Sequence, residues 1–131
     1  MSMCEEWFLR AKSKMFLAKL AKSDINIHYC DTMYCIQQAV EVLLKTAIAH
    51  FDDTQLPPKT HDISVLCKEV EKYVKIPDNI LLEIIPLTQY VTMRYPHEFE
   101  IGTQADCEDA YAIAIQLFQW IDEEVINNFN Q

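Results

Sequence analysis

Glycine is almost missing from this sequence, because Gly102 is the only one among 131 residues. Sheets joined by tight hairpins usually need several glycines, since their turns hold residues at positive φ. Long runs of β-branched residues are also scarce. These two shortages predict an all-α protein.

The sequence has no CxxC pair, and its five cysteines, at positions 4, 30, 35, 67 and 107, are odd in number. Such spacing indicates neither a disulfide framework nor a zinc ribbon. No HExxH motif or carboxylate cluster is present, and His28 and His50 have no neighbours at metal-ligand spacing. We therefore predict reduced, mostly buried thiols, with no metal site and no cofactor.

Long apolar runs are missing as well, and this predicts that no segment spans a membrane. The first twelve residues, MSMCEEWFLRAK, carry acids where a secretory signal has a basic start. We therefore expect a cytoplasmic protein.

Positive charge is in short supply, with a formal net charge of −9. Residues 95–131 hold eight acids and no Lys or Arg, whereas residues 1–22 hold five Lys or Arg against two Glu. Because phosphate binding draws mostly on Lys and Arg, no broad DNA-binding surface is expected, and any RNA contact has to be local. The opposite signs favour pairing of the first and last helices.

Apolar spacing divides the chain into helices. The prediction is a fold of the all-α class, an antiparallel up-down four-helix bundle with one short extra or proline-kinked helix, in a single domain over residues 1–131. The expected helices cover residues 4–22, a stretch capped by Ser23 or Asp24 and ending near 51, residues 61–74 after Thr60, residues 78–93 with a kink at Pro86, and residues 104–128 after Thr103.

A polar stripe runs along the second helix. Tyr34, Gln38, Glu41 and Lys45 follow spacings of four, three and four, so they share one face, with Gln37 at its edge. Either this stripe is a solvated flank with one Glu–Lys pair, or it lines a polar site. Spacing leaves both interpretations open.

Several short segments occur in a specific order along nearly the whole chain. They are EEWFLRA, QQAVEVLLKTA, THDISVL and RYP, followed by an amphipathic helix that contains a Trp. In this order the sequence resembles the HEPN (higher eukaryotes and prokaryotes nucleotide-binding) domain family, in particular the RYP type that accompanies minimal nucleotidyltransferases.

The resemblance implies a four-helix bundle, commonly a homodimer, that is paired in bacteria or archaea with a nucleotidyltransferase as toxin and antitoxin. It places Gln38, Glu41 and Lys45 on the Q-Q-A-x-E-x-x-x-K segment of the family, and His61 on its H-D/N-L segment. Arg94, Tyr95 and Pro96 fall on the R-Y-P segment. The first helix departs from the family pattern, because residues 12–14 read KSK where an acidic residue is usual.

Ribonucleases of this family carry an R-x4-6-H signature, with histidine moving a proton and arginine stabilising the charge on phosphate. Here only Tyr95 and Pro96 separate Arg94 from His97, and the proline biases Tyr95 away from helical geometry. No catalytic residue is therefore predicted. Arg94 is expected either to bind an anion, with Tyr95 beside it, or to pair with Glu41.

The leading hypothesis is a non-catalytic module that binds a nucleotide, RNA or a partner protein. A metal-independent endoribonuclease toxin and a purely structural homodimer are the alternatives. The candidate binding residues are Arg94, Tyr95, Lys45, Glu41, Gln38 and His61.

Overall fold

The computed structural model describes residues 1–92 and 104–127, with only the backbone of residues 91 and 92. The described residues form helices and connecting turns, without strands. The helices are α1 (Met3–Ser23), α2 (Tyr29–Phe51), α3 (Ile63–Val70), α4 (Asp78–Ile84), α5 (Gln89–Thr92) and α6 (Gln104–Trp120), which continues as a π-helix over Ile121–Asn127.

The first two helices form an antiparallel pair. Ser2 caps α1 by accepting a hydrogen bond from the backbone N–H of Glu5 at 3.1 Å. The buried stripe of α1 is apolar and, apart from Met15, consists of alanines, namely Ala11, Ala18 and Ala21. The Thr32 hydroxyl, near the start of α2, donates to the carbonyl of Ala21, near the end of α1. Small side chains therefore let the two backbones approach closely.

The last helix packs on both α1 and α2, and it also contacts α4. Phe8, in the first half of α1, lies 5.5 Å in ring-centroid distance from Phe118, late in α6. Lys22, at the end of α1, pairs with Glu108, near the start of α6, at 3.1 Å. The two helices are therefore antiparallel. The predicted all-α, up-down bundle is confirmed.

Pro86 interrupts the fourth helical segment, as predicted. Helix α4 ends at Ile84, a 3₁₀ turn spans Ile85–Thr88 with the proline at its beginning, and α5 follows. The proline ring would collide with a carbonyl one turn earlier in a continuous helix, so the segment divides into short pieces.

Two helix starts differ from the prediction. Asp24 does not cap α2; it ends α1 and its carboxylate accepts from the N–H of Asn26 at 2.9 Å, so α2 begins only after His28. Asp62, rather than Thr60, caps α3. Thr103, predicted to cap the last helix, lies outside the described residues.

No helix in the described ranges combines the length and the apolar character that a membrane crossing requires.

Candidate functional site

Glu41 lies at the centre of a buried polar network on α2. Its carboxylate accepts from Lys45 Nζ at 2.9 Å and from Gln37 Nε2 at 3.2 Å, and His61 Nδ1 lies 3.0 and 3.2 Å from its two oxygens. Glu41 is 7% exposed and Lys45 8%. For these two residues the interpretation as a solvated flank is wrong.

Neighbouring elements cover this network on two sides. The Trp7 ring, on α1, lies 5.8 Å from Lys45 Nζ. On the other side, the segment before α3 brings His61 onto the carboxylate, while the His61 side chain itself stays 68% exposed. A buried ion pair needs such additional hydrogen bonds to offset the loss of hydration, and Gln37 and His61 supply them.

Gln37 is fully buried, and the orientation of its amide is fixed by its neighbours. The Nε2 group donates to Glu41 and lies 3.5 Å from the carbonyl of His61, and both of these are acceptors. Within the described part of the chain, its Oε1 has no hydrogen-bond partner. An unpaired buried acceptor costs about 1–3 kcal/mol. The hydrogen bond to Glu41 therefore determines the orientation of the Gln37 amide, although this orientation leaves Gln37 Oε1 without a partner among the described residues.

A cavity of about 270 Å³ opens beside the network, between α1 and α2. Lys14 Nζ donates to Gln38 Oε1 at 3.2 Å, and Gln38 Nε2 donates to the Tyr34 hydroxyl at 2.8 Å. Arg10, on the α1 side, lies 5.1 Å from the Trp7 ring. The complete lining is Arg10, Lys14, Tyr34, Gln37, Gln38, Glu41, Val42 and His61.

The start of α3 holds His61 in position. The Asp62 carboxylate accepts from the N–H and the hydroxyl of Ser64 at 2.9 and 2.7 Å. These bonds, the hydroxyl first, lower the pKa of Asp62. The N–H of Ile63 donates to the Thr88 hydroxyl at 3.0 Å, which fastens the start of α3 to the turn at Pro86. The backbone around His61 is thus fixed while its ring remains accessible.

Four of the residues predicted for the site, Gln38, Glu41, Lys45 and His61, lie close together. Three of them line the cavity, whereas Lys45 is bound to Glu41 beneath Trp7. Arg94 and Tyr95 lie outside the described residues, as do Pro96 and His97. The possible pairing of Arg94 with Glu41 therefore stays a prediction.

The predicted binding residues omit five that line the cavity, although the predicted polar stripe already included Tyr34, with Gln37 at its edge; the five are Arg10, Lys14, Tyr34, Gln37 and Val42. The charge pattern assigns the basic residues of α1 only to long-range charge pairing. The sequence did contain a signal for the two cations. If Ala11 and Met15 of α1 face the core, the helical period places Arg10 and Lys14 on the flank of that stripe, beside the neighbouring helix. Placing Arg10 and Lys14 at the cavity also requires knowing which residues of α1 lie opposite which residues of α2.

The charges at the cavity suit the binding of an anion. Donors already occupy both oxygens of Glu41, so this carboxylate is not a free base. The described residues contain no group of three His, Cys, Asp or Glu placed to hold a metal ion. Arg10 and Lys14 offer cationic donors at the cavity, and Tyr34 offers a ring that is 41% exposed.

Comparison with known proteins agrees with this architecture. The crystal structure of TT1696 from Thermus thermophilus is similar in fold, with a TM-score of 0.77 and 21% identity over 95% of this chain and 99% of that chain. No curated protein matches. The model of the HEPN domain matches residues 4–125. Since that match covers nearly all of the sequence, the chain belongs to the HEPN domain family.

Proposed function

We propose that this chain is a non-catalytic HEPN module that binds a nucleotide in the cavity between α1 and α2, and that it works with a minimal nucleotidyltransferase in the cytoplasm. The observation that supports nucleotide binding is the juxtaposition of Arg10 and Lys14 with the fixed Glu41 network in one cavity. In a chain of net charge −9, two cations at one cavity form a local site for an anion.

The residues of the cavity suit the parts of a nucleotide. Arginine and lysine provide charge-assisted hydrogen bonds to phosphate. The exposed Tyr34 ring provides a stacking face for a base, as aromatic side chains do in single-strand binding. The volume of about 270 Å³ is near the lower limit of ligand pockets, which favours a mononucleotide over a longer polymer.

The partner and the assembly belong to the same proposal. The RYP segment is the basis for a nucleotidyltransferase partner and for a pair of the toxin–antitoxin kind, with a homodimer as the assembly. In this scheme Arg94 and Tyr95 extend the anion site, and the protein binds its ligand or its partner without cutting RNA.

Calorimetric titration of the full chain with AMP, ATP, GTP and a short RNA tests the proposal. We expect AMP or another mononucleotide to bind, and Arg10→Ala and Lys14→Ala each to weaken binding by about tenfold or more, because a hydrogen bond to a charged group contributes about 1.5–3 kcal/mol. Lys68→Ala is the matched control, since Lys68 is an exposed lysine on α3 and is not part of the cavity lining.

If none of these ligands binds and no nucleotidyltransferase co-purifies with the chain from its native cells, the proposal is wrong. Cleavage of RNA without added metal, abolished by Arg94→Ala, would instead establish the endoribonuclease alternative. Intact RNA at high protein concentration is the expected result.

A further inference from the structure

Helix α1 is apolar on two opposite sides. One side is the buried stripe toward α2. On the other side Leu9, Phe16 and Leu20 are 52%, 60% and 51% exposed, and they follow spacings of seven and four. At 3.6 residues per turn these positions share one face, directly opposite the core. Leu17, 48% exposed, borders it. This exposed stripe is the pattern of a helix that packs against a second helix.

A hollow lies next to one half of the exposed stripe. It measures about 210 Å³ and is lined by Met1, Glu5, Phe8, Leu9 and Lys12. The ammonium of Lys12 lies 4.5 Å from the centroid of the Phe8 ring, and both side chains form part of the wall of the hollow. Phe16, the most exposed side chain of the stripe, is about 10 Å further along the helix.

We propose that a second copy of this chain docks on this face, with the two α1 helices antiparallel and Phe16 of each copy filling the hollow beside Leu9 of the other. A two-fold axis repeats each contact, so a helix that carries both a protruding side chain and a hollow can pair with itself: Phe16 of each copy enters the hollow of the other. The axis then passes near Lys12 and Ser13. This inference rests on the proposed homodimer and assigns its interface.

The charges of α1 favour the same arrangement. Glu5 and Lys19 are 14 residues apart, two heptads, and therefore lie on the same flank of the stripe. Antiparallel helices related by a two-fold axis bring like flanks together, so Glu5 of each copy lies beside Lys19 of the other. In a parallel two-fold pair Glu5 and Lys19 would stay about 20 Å apart along the helix axis, so this contact forms only in the antiparallel pair. Charge thus favours the antiparallel register that also seats Phe16 in the hollow.

Light scattering and sedimentation equilibrium of the full chain test the interface. The wild type is expected at twice the monomer mass of 15.3 kDa. Phe16→Glu and Leu9→Glu are expected at the mass of one chain, with unchanged helix content by circular dichroism. The matched control is Leu82→Glu, because Leu82 is 70% exposed on α4, and this variant should remain dimeric.

Charge exchange tests the register. Glu5→Lys and Lys19→Glu should each weaken the dimer several-fold, and the double variant should restore the wild-type dissociation constant. Ser13→Cys, close to the axis, should form a disulfide-linked dimer on oxidation. Ser23→Cys, at the end of α1 and far from the axis, is the control and should not.

The outcomes separate the interface from the rest of the proposed function. A wild type that remains a single chain at every concentration overturns both the homodimer and its interface. A dimer that persists in Phe16→Glu and Leu9→Glu overturns the interface alone. Arg10 and Lys14 lie on the other flank of the stripe, so Phe16→Glu should still bind AMP. If AMP binds neither to Phe16→Glu nor to a wild type that is dimeric, nucleotide binding alone is overturned.

Discussion

At the scale of single residues, Glu41 is the buried carboxylate to which the polar side chains around α2 bind. Lys45 neutralises its charge, while Gln37 and His61 satisfy its remaining acceptor positions. Such a pair contributes little net stability relative to apolar residues, because both ions lose their hydration. Removing one partner is far more costly than removing both.

Glu41→Ala is therefore expected to lower the free energy of unfolding by about 3–5 kcal/mol, since it leaves Lys45 buried without a counter-charge. The double variant Glu41→Met/Lys45→Met should lose less, and its remaining loss of about 1–3 kcal/mol is expected from the buried Gln37 amide, which no longer has Glu41 as an acceptor. Urea denaturation followed by circular dichroism measures both. Equal losses in the single and the double variant would contradict this account of the pair.

The cysteines are expected to differ in reactivity in the folded chain. Burial, with smaller contributions from Glu71 and Asp62, raises the pKa of the Cys67 thiol to about 12, so almost no thiolate exists at neutral pH. Iodoacetamide at pH 8 should modify the half-buried Cys30 long before Cys67, as measured by mass spectrometry of peptides. Labelling in urea is the control and should make the rates similar. A fast reaction of Cys67 in the folded chain would disprove its burial.

At the scale of elements, the start of α3 depends on Asp62. This carboxylate caps the helix, and its pKa lies below the ordinary value of 3.8, chiefly because of the hydrogen bond from the Ser64 hydroxyl. The cap therefore stabilises the folded state above pH 3.8 and is lost as the pH falls through the lower pKa of the folded state.

Asp62→Ala should lower the free energy of unfolding by about 1 kcal/mol at pH 7, whereas Asp62→Asn should lose less because Asn is also a good cap. Thermal melts at pH 7 and at pH 2.5 compare the variants. The difference between wild type and Asp62→Ala should shrink at the lower pH. A difference independent of pH would show that the charge of Asp62 is irrelevant.

Helix bounds could be predicted where one residue decides them locally. Pro86 is such a residue, since its ring excludes a continuous helix whatever surrounds it. Asp24 is not, because the same side chain suits a helix cap and a turn, and the structure uses it in a turn with Asn26. Thr60 and Asp62 presented a similar choice between two neighbouring cap residues.

At the scale of the whole molecule, the opposite charges of the first and last helices contribute one described ion pair between α1 and α6, Lys22 with Glu108. The Glu108 side chain is 53% exposed, so the pair is screened by solvent. Apolar contacts such as Phe8 with Phe118 are expected to hold the two helices together instead.

Glu108→Gln should therefore change the free energy of unfolding by less than about 1 kcal/mol, and 1 M NaCl should leave that small effect smaller still. Phe118→Ala should cost more, about 2 kcal/mol, because it removes part of the contact with α1 from a half-buried position. Urea denaturation with and without salt measures these differences. A large, salt-sensitive loss of the free energy of unfolding in Glu108→Gln would instead show that the ion pair holds α1 and α6 together.

The site was only partly predictable, since burial in a bundle depends on distant segments. Spacing placed Gln38, Glu41 and Lys45 on one face, and the family resemblance added His61. Nothing in the periodicity of α2 showed that Trp7, more than thirty residues earlier, covers Lys45. Arg10 and Lys14 likewise reach the cavity only through the level at which α1 crosses α2.

The spacing of four between Glu41 and Lys45 also bears on the order of folding. Helices form within about a microsecond, before distant segments meet, so these two side chains are neighbours as soon as α2 exists. When α1 and the segment of His61 close over them, a neutral pair rather than two separate ions leaves water. We expect this to lower the kinetic barrier to assembling the core, because less charge has to lose its hydration.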